Sequence, residues 1–532
     1  SQLDQKSLTA TEGFLEALHL RYRAVLIDEF QDTDHQQLAI FRRLFFDYPE
    51  IPFVMIGDPK QSIYRFRGAD IHSYLGIKEH IEKIYTLNTN YRSGELQVAA
   101  VNRLFGLRAA INPPFIEKDI PFIEIKTPSS AASSKLILPH RPDAGMTFLE
   151  YRPAPTEVEH EEKKAASRVN NGDFKDQMAA ATAEEIARLL KEGQLASEEG
   201  SRAISPEDIT ILVRSGSEAD ILRKALRRVG VNAVYLSEKS SIFDAGNSIA
   251  LDLYLFLYTL LFMHDRKKVM QSVGSVLYGF SVEEYEALMN DPDAFEKLLT
   301  ERYQLREIWE KQGILAMIRT FMVRENRLAK LLMLEDGERQ ASDLFHLAEI
   351  LQRESFSNGE ALLLWLHDKI FNVEGRQQEK IRLESDFKTL QIMTIHKSKG
   401  LEFPIVFLPF ALFKGRGEKE GIYIDATKER RYIYPEECTP EIERYFLKEN
   451  LAEDIRLLYV ALTRAKFHTY VGFTRALDKK AYQDNALSYL MGIGTKDEDL
   501  APFFEAGISH QIFSEEELND PQMIRVNLIT EA

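Results

Sequence analysis

Apolar positions near the start of the chain come as short unbroken runs. Ala24, Val25, Leu26 and Ile27 form one of strand length, and it delivers an acidic pair, Asp28 and Glu29, at its C-terminal end. From His35 to about Phe46, Leu38, Phe41 and Phe45 fall on one stripe, which predicts a helix. "FVMIGD", Phe53 to Asp58, is a second apolar run that again ends in an acid. Strand, helix and strand of these lengths predict a right-handed parallel unit.

The pattern loosens from Ile111 to about Gly200, where "TPSSAASSK", "HRPDAG" and "EHEEKKAASRVNNGD" read as loops around a strand, "MTFLEY", and a helix near Ala180 to Lys191. "DITILVRS", a helix from Glu218 to Val229 and "NAVYL" predict another strand–helix–strand unit. From about Ser248 to Arg382 almost everything reads helical, "SVEEYEALM" and "ASDLFHLAEILQR" being clearly amphipathic. Then "LQIMTIH", "PIVFLPF", the helix "EDIRLLYVALTRA" and the strand "HTYVGF" restore α/β character. An all-helical block inserted within an α/β domain is the simplest architecture, and no internal repeat is evident.

At 532 residues the chain is too long for one core and predicts two to four domains. A hydrophobic content of 44% with 28% charged residues is that of an ordinary globular protein. The single cysteine, Cys438, rules out an internal disulfide and fits a reducing compartment. "SQLDQKSLTA" at the N-terminus has no signal-peptide core, and the most apolar stretch, Leu251 to Met263, is too short to span a bilayer and carries Asp252. A soluble, cytoplasmic protein is expected. The net charge of −16 argues against nucleic acid until its distribution is considered, because phosphate binding needs only local positive charge. Between Ala481 and Ala532 ten acids face two bases, so half of the net charge lies in what reads as an acidic, solvated tail.

The acidic pair has the chemistry to hold Mg²⁺ through water and to orient an attacking water beside a γ-phosphate. In "IGDPKQSIYRFRGAD", Gln61 stands just beyond the second strand, where an amide reaches a γ-phosphate or its water. Tyr64, Arg65, Phe66 and Arg67 then interleave rings and guanidiniums, as a platform for single-stranded nucleic acid does; a polar loop with a buried Phe has the same composition. "LNTNYRS" adds Tyr91 and Arg92, and "QIMTIHKSKGLEFPIVF" places Thr394, His396, Lys397, Lys399 and Gly400 on a strand-to-loop transition, with Glu402 next. "RLLYVALTRAK" reads as one helix through Lys466, ending in positive charge with Arg464 and Lys466. Taken singly, an arginine there is usually a surface or dipole partner, and His396 a structural hydrogen-bonding group.

In this order the motifs "DEFQDT", "GDPKQSIYRFRGAD", "NYRS", "IHKSKGLEF" and "LLYVALTRA" resemble the superfamily 1 DNA helicases of the UvrD/Rep/PcrA type. Within them, "VLIDEFQDTDHQQLAIFRRLF", "AVYLSEKSSIFD", "GERQASDLFHLAEILQ" and "IHKSKGLEFPIVFLPF" are most similar to the RecB-type subunits of exodeoxyribonuclease V helicase–nucleases, from about residue 20 to residue 475. The resemblance implies RecA-like P-loop NTPase motor domains, a partial 1A and a complete 2A, with an inserted helical 2B. Residues 1–86 would belong to 1A, 87–247 and 383–480 to 2A, 248–382 to 2B, and 481–532 to a tail leading toward a nuclease module. It implies Asp28 as Mg²⁺ ligand, Glu29 as catalytic carboxylate, and Gln61 as γ-phosphate sensor. It implies Tyr91 against adenine, Glu402 on the ribose, Arg92 and Arg464 as fingers to the γ-phosphate, and a DNA path over Tyr64, Phe66, Arg67, Thr394, His396 and Lys399. ATP and Mg²⁺ are the implied cofactors, and single- and double-stranded DNA with RecC-like and RecD-like subunits the implied partners.

One departure stands out: no G-x-x-x-x-G-K-[ST] phosphate loop occurs among the 532 residues. Only 23 residues precede Ala24, and no nuclease signature follows, so an internal fragment of a longer enzyme is expected, inactive as an ATPase by itself. The alternative is a helicase-like chain that lost its phosphate loop and merely holds DNA or partner subunits. Decay of one motif would leave the others free to drift, yet Asp28, Glu29, Gln61, Arg92, Glu402 and Arg464 all stand in working form. A P-loop ATPase unconnected with nucleic acid would leave the aromatic–basic stretch unexplained.

Overall fold

The computed structural model describes residues 15, 17–65, 69, 71–81, 83–129, 131, 135–139, 141–153, 171–197, 200–236, 242–243, 248–334, 337–354, 356, 358–371, 389–412, 420–425, 430–476, 485–492, 504 and 507–513. They fall into two compact units, one of Ser1–Leu236 with Ser385–Ala532 and one of Ser237–Glu384.

In the first unit, Val25–Ile27 and Phe53–Met55 pair in parallel, Val25 opposite Phe53 and Ile27 opposite Met55. The helix between them starts at a capping box that "DTDHQQ" encodes. The Asp34 carboxylate accepts from the Gln37 amide at 2.7 Å, and the Gln37 side chain accepts from the Asp34 amide at 3.2 Å. That helix runs from His35 to Phe41 and widens into a π-turn over Arg42–Phe46.

The remainder of this unit is built on a seven-stranded sheet in the order Ile508–Phe513, Met146–Tyr151, Ala465–Thr474, Phe403–Leu408, Ile209–Val213, Leu390–Thr394, Ala233–Leu236. Every neighbouring pair is parallel. Such a sheet is covered on both faces, which is why its central strands read as unbroken apolar runs. Successive residues serve opposite cores: Val406 and Leu408 pack with Ile455, Leu458 and Leu104, while Ile405 and Phe407 pack with Ile186, Leu222 and Met178. The covering helices are Glu95–Ala109 and Pro440–Leu462 on one side, Asn171–Glu192 and Gly216–Arg228 on the other.

Two expectations change here. Residues 481–532, read from charge as a solvated tail, supply a helix, Ala486–Met491, whose Leu487 and Leu490 enter the core, and the edge strand Ile508–Phe513. The acids that dominate the local charge flank short apolar segments, and those segments decide the packing. The helix before "HTYVGF" ends at Leu462, not beyond Arg464. Thr463 caps it, its hydroxyl donating back to the Tyr459 and Val460 carbonyls at 2.9 and 3.0 Å, and the β-branched and aromatic run from Ala465 onward forms a strand.

Every described element of the second unit is a helix, from Ser248–Leu261 to Gly359–Phe371. Its core gathers Leu253, Phe256, Leu305, Met317 and Phe321 around the buried ring of Tyr278. Two arginines are buried with it: Arg327 pairs bidentately with Glu301 at 2.6 and 3.0 Å, and Arg302 donates to the Thr259 hydroxyl. Among the described residues, no helix in either unit is long and apolar enough to cross a membrane.

Candidate functional site

The strands Val25–Ile27 and Phe53–Met55 carry acids just beyond their C-terminal ends, Asp28 and Glu29 after the first and Asp58 after the second. Beyond Ile27, Glu29 takes a left-handed conformation, φ 51° and ψ 37°, uncommon for a residue with a side chain. The Glu29 amide donates to Asp28 Oδ1 at 2.9 Å, and Glu29 Oε2 accepts from Gln31 Nε2 at 2.6 Å. Gln31 is buried and organises what lies around it. Its Oε1 accepts from the Asp58 amide at 2.9 Å and its carbonyl from the Ser62 hydroxyl at 3.2 Å, which ties the ends of the two strands together. Gln61 Nε2 donates to Asp58 Oδ2 at 3.2 Å, while Lys60 Nζ lies 2.7 Å from Asp58 Oδ1. Pattern reasoning missed Gln31, although it stands inside the same "DEFQDT".

Three segments far along the chain meet these residues. After the strand Leu390–Thr394 the backbone turns over Ile395–Gly400, with Thr394 Oγ1 accepting from the Lys397 amide at 3.3 Å and Gly400 at φ +79°. The turn points Lys399 at the acids: its Nζ is 2.5 Å from Asp32 Oδ2, 2.9 Å from the Gln61 carbonyl oxygen and 3.3 Å from Glu29 Oε2. The side chain is only 6% exposed, and the Tyr64 ring lies 5.1 Å from its nitrogen. The Tyr64 hydroxyl donates to the His396 carbonyl at 3.2 Å. Burial pushes the Asp32 carboxyl up, against the pull of Lys399.

The second segment begins at Asn90, whose side chain accepts from the amides of Arg92 and Ser93 at 2.7 and 3.0 Å. Tyr91 is left 82% exposed, a ring open to stack on a planar ligand. Arg92 Nε is 2.7 Å from Glu402 Oε2, and Lys466 pairs with the other oxygen of that carboxylate. The Lys466 hydrogen bond and the Arg92 guanidinium hold Glu402 below the usual carboxylate range.

The third segment is the turn after the helix Pro440–Leu462. There Arg464, 3% exposed, donates to the carbonyls of Val460 and Leu401 at 3.0 and 3.1 Å and to the Thr463 hydroxyl at 3.3 Å. Burial first, then repulsion from Arg92, brings its pKa down to about 10, with Glu29 and Glu402 pulling the other way. Arg456, earlier in that helix, is buried and donates from Nε to the Ser62 carbonyl at 2.8 Å, pinning the loop that carries Gln61.

The structure thus brings Asp28, Glu29, Gln61, Arg92, Glu402, Arg464, Tyr64, His396 and Lys399 around one crevice, with Tyr91 at an open position. Phe66 and Arg67 lie outside the described residues. Asp28 and Glu29 are exposed oxygen donors of the kind Mg²⁺ takes. Among the described residues no group of three or more metal-ligating side chains converges, so a cation here would complete its shell with water and phosphate oxygens.

Comparison with known proteins returns the same picture. The family described as "UvrD/REP helicase N-terminal domain" matches residues 3–82, and the "UvrD-like helicase C-terminal domain" matches residues 340–476. The chain is 34% identical over 483 residues to the RecBCD enzyme subunit RecB of Escherichia coli strain K12, covering 88% of this chain and 39% of that protein. It is 35% identical over 492 residues to the Haemophilus influenzae subunit of the same name, covering 90% of this chain and 38% of the relative. The chain therefore spans about two-fifths of the length of these relatives.

Proposed function

Because the chain belongs to the UvrD/Rep-type helicase family, as a RecB-like member, we propose that the protein carrying it is an ATP-driven 3′→5′ DNA translocase. It would be the helicase subunit of a cytoplasmic helicase–nuclease that acts in double-strand-break repair and recombination, with RecC-like and RecD-like subunits as its partners. We assign residues 1–86 to motor domain 1A, residues 87–247 and 383–480 with the edge strand Ile508–Phe513 to 2A, and the helical unit to 2B. The observation that carries the reading is the crevice itself. Acids and an amide from the first 86 residues (Asp28, Glu29, Gln61) neighbour Arg464, close enough to Glu29 to feel its charge, and Arg92 lies near Arg464 in turn.

In this reading Asp28 is the group that would hold Mg²⁺, which when bound neutralises phosphate charge. Glu29 orients a water and accepts its proton, and Gln61 contacts that water or the phosphate beside it. Arg92 and Arg464 neutralise charge that develops as the terminal phosphoryl group leaves. Tyr91 stacks on the base and Glu402 takes the ribose. Tyr64, Phe66, Arg67, Thr394, His396 and Lys399 contact the DNA strand. The 532 residues contain no phosphate-cradling loop, so this chain alone is expected to bind single-stranded DNA weakly and to turn over no ATP. Phosphate release and fluorescence anisotropy test both parts. A DNA-stimulated turnover by this chain that vanishes on Glu29→Gln, or equal DNA affinity in the parent and Phe66→Ala, would contradict the assignment.

A further inference from the structure

A helix leaves its last carbonyls without partners of its own. In Pro440–Leu462 that end leads into the turn on which Arg464 stands, and donors from elsewhere in the fold finish it. The Leu462 carbonyl accepts from Gln97 Nε2 at 2.9 Å, and the same amide nitrogen donates to Thr469 Oγ1 at 2.9 Å. The Ala465 carbonyl accepts from the Ser93 hydroxyl at 2.8 Å, and the Lys466 carbonyl from the Gly94 amide at 2.8 Å. Ser93, Gly94 and Gln97 all lie within five residues of Arg92. Ser93 and Gln97 are buried, so water does not compete for these carbonyls. Gln97 Oε1 is itself buried with no hydrogen-bond partner. An amide placed for stability alone would satisfy both of its ends. This one satisfies only the end that reaches the Arg464 turn and the strand after it.

We propose that Ser93 and Gln97 are positioning residues: they mount the Arg464 turn on the Arg92 loop, so that the two guanidiniums meet one phosphoryl group at a fixed spacing. This rests on the helicase reading above, in which both arginines neutralise charge on the leaving group, and adds the residues that set where they stand. Neither Ser93 nor Gln97 touches the ligand; each acts through the backbone it holds. Arg464 follows that backbone, because its Nε and Nη2 are tied to Val460 and Thr463 beside it. A guanidinium stabilises a transition state only where charge develops, and a displacement of about 1 Å can cost 10²-fold in rate. Loss of either donor leaves a buried carbonyl unsatisfied, and the turn shifts to relieve it.

Two variants separate positioning from stability. Ser93→Ala removes one donor. Gln97→Met removes the amide's donors together with its orphan oxygen at nearly constant size, so it should melt close to the parent, and it carries the test alone if Ser93→Ala does not fold. Hydrogen exchange on the 532-residue chain reads the mounting without nucleotide. Each variant should speed exchange both in the segment around Gly94 and in the one around Arg464, while the strand Ile209–Val213 exchanges as in the parent. Faster exchange on one side only, or on neither, would overturn the proposal. In a longer protein that includes a phosphate loop, each variant should lower kcat for DNA-stimulated ATP hydrolysis about ten- to a hundredfold, with KM for ATP changed less than about threefold. Arg464→Lys should then cost less in the Gln97→Met background than in the parent, because the guanidinium is already displaced. Equal costs in the two backgrounds, a raised KM with kcat unchanged, or parent-like kinetics in a folded variant would each overturn the positioning role. A parent that hydrolyses no ATP on DNA would overturn the functional reading itself, and the positioning role with it, whatever the exchange shows.

Discussion

His468 offers a sharp physical test of the sheet that carries the crevice. It sits on the central strand Ala465–Thr474 and is 3% exposed. The Ala144 carbonyl can only accept, so Nδ1 carries the proton and donates to it at 2.8 Å. That leaves Nε2 to accept from the Thr147 hydroxyl at 2.8 Å. A second proton at Nε2 would break that hydrogen bond on a side chain almost closed to solvent. Burial, with Arg141 adding repulsion, therefore brings the imidazole down to about 4 from the ordinary 6.5. The unfolded chain takes up its proton first, so the contribution to stability is complete above pH 6.5 and is lost as pH falls toward 4. A gap of about 2.5 pH units at ~1.4 kcal/mol each amounts to roughly 3 kcal/mol, of which about 2 should be lost between pH 7 and pH 5. Glu150 does not interfere. Burial alone would raise it, but hydrogen bonds from His510, Arg152 and Arg475 outweigh that and hold it at about 2, so its own loss lies below the range tested. Urea unfolding of the parent and His468→Gln at pH 7, 6 and 5 isolates the effect as a difference. The variant should start less stable and then lose about 2 kcal/mol less than the parent. Parallel pH profiles would mean that the imidazole protonates inside the fold, and the burial argument would fail.

Glu150→Gln should destabilise the chain by about 3–5 kcal/mol in thermal melts, because it strands Arg152, Arg475 and His510 around a buried site. Lys466→Ala, at a half-exposed pair, should cost no more than about 1 kcal/mol in the same assay. Gly472→Ala would drive a methyl into the Pro409 carbonyl and within 2.7 Å of Met178 Sδ, so soluble yield should collapse or the melting point fall by the equivalent of more than ~4 kcal/mol. In a longer protein that includes a phosphate loop, Arg464→Lys should lower kcat roughly 10³-fold with much less effect on KM for ATP, measured by stopped flow; weakened DNA binding with kcat unchanged would reassign the residue.

How much of this was legible in the chain depended on whether the cause was local. "ITILV" and "FPIVFL" reveal a doubly covered parallel sheet because burial on both faces leaves no alternating polar positions, Thr210 being the one polar residue in the two. Asp34 and Gln37 announce their helix because a capping box closes within four residues. The end of the helix at Leu462 was misread because arginine and lysine are good helix formers, and only the Thr463 cap with the strand-forming residues after Lys466 argues for a stop. The tail was misread because net charge averages over a span, whereas "ALSYLM" and "ISHQIF" pack as segments. Lys399 was recognised as a charged group of the site, but not its partners. Asp32 is 367 positions away, and no periodicity connects a turn after one strand to a 3₁₀ turn after another. Local patterns disclose which residues carry chemistry; the pairing among them is tertiary.

That pairing has a physical consequence for how such a crevice responds to ligands. Among the described residues, the cations named above each rest against an acceptor. Lys399 lies on Glu29 and Asp32, Arg92 and Lys466 on Glu402, Lys60 on Asp58, and Arg464 on backbone carbonyls. Each group is already partly desolvated and held in place, so binding a phosphate exchanges one anionic partner for another instead of stripping water from a free ammonium. An exchange of this kind yields modest net affinity, since the old contact offsets much of the new one. What it provides is difference: a ligand that takes Arg92 must displace Glu402 from it. A ligand can shift an equilibrium only by its unequal interaction with two states, and here the contacts it would have to displace are named ion pairs. Such an exchange suits a site whose ligand must leave again.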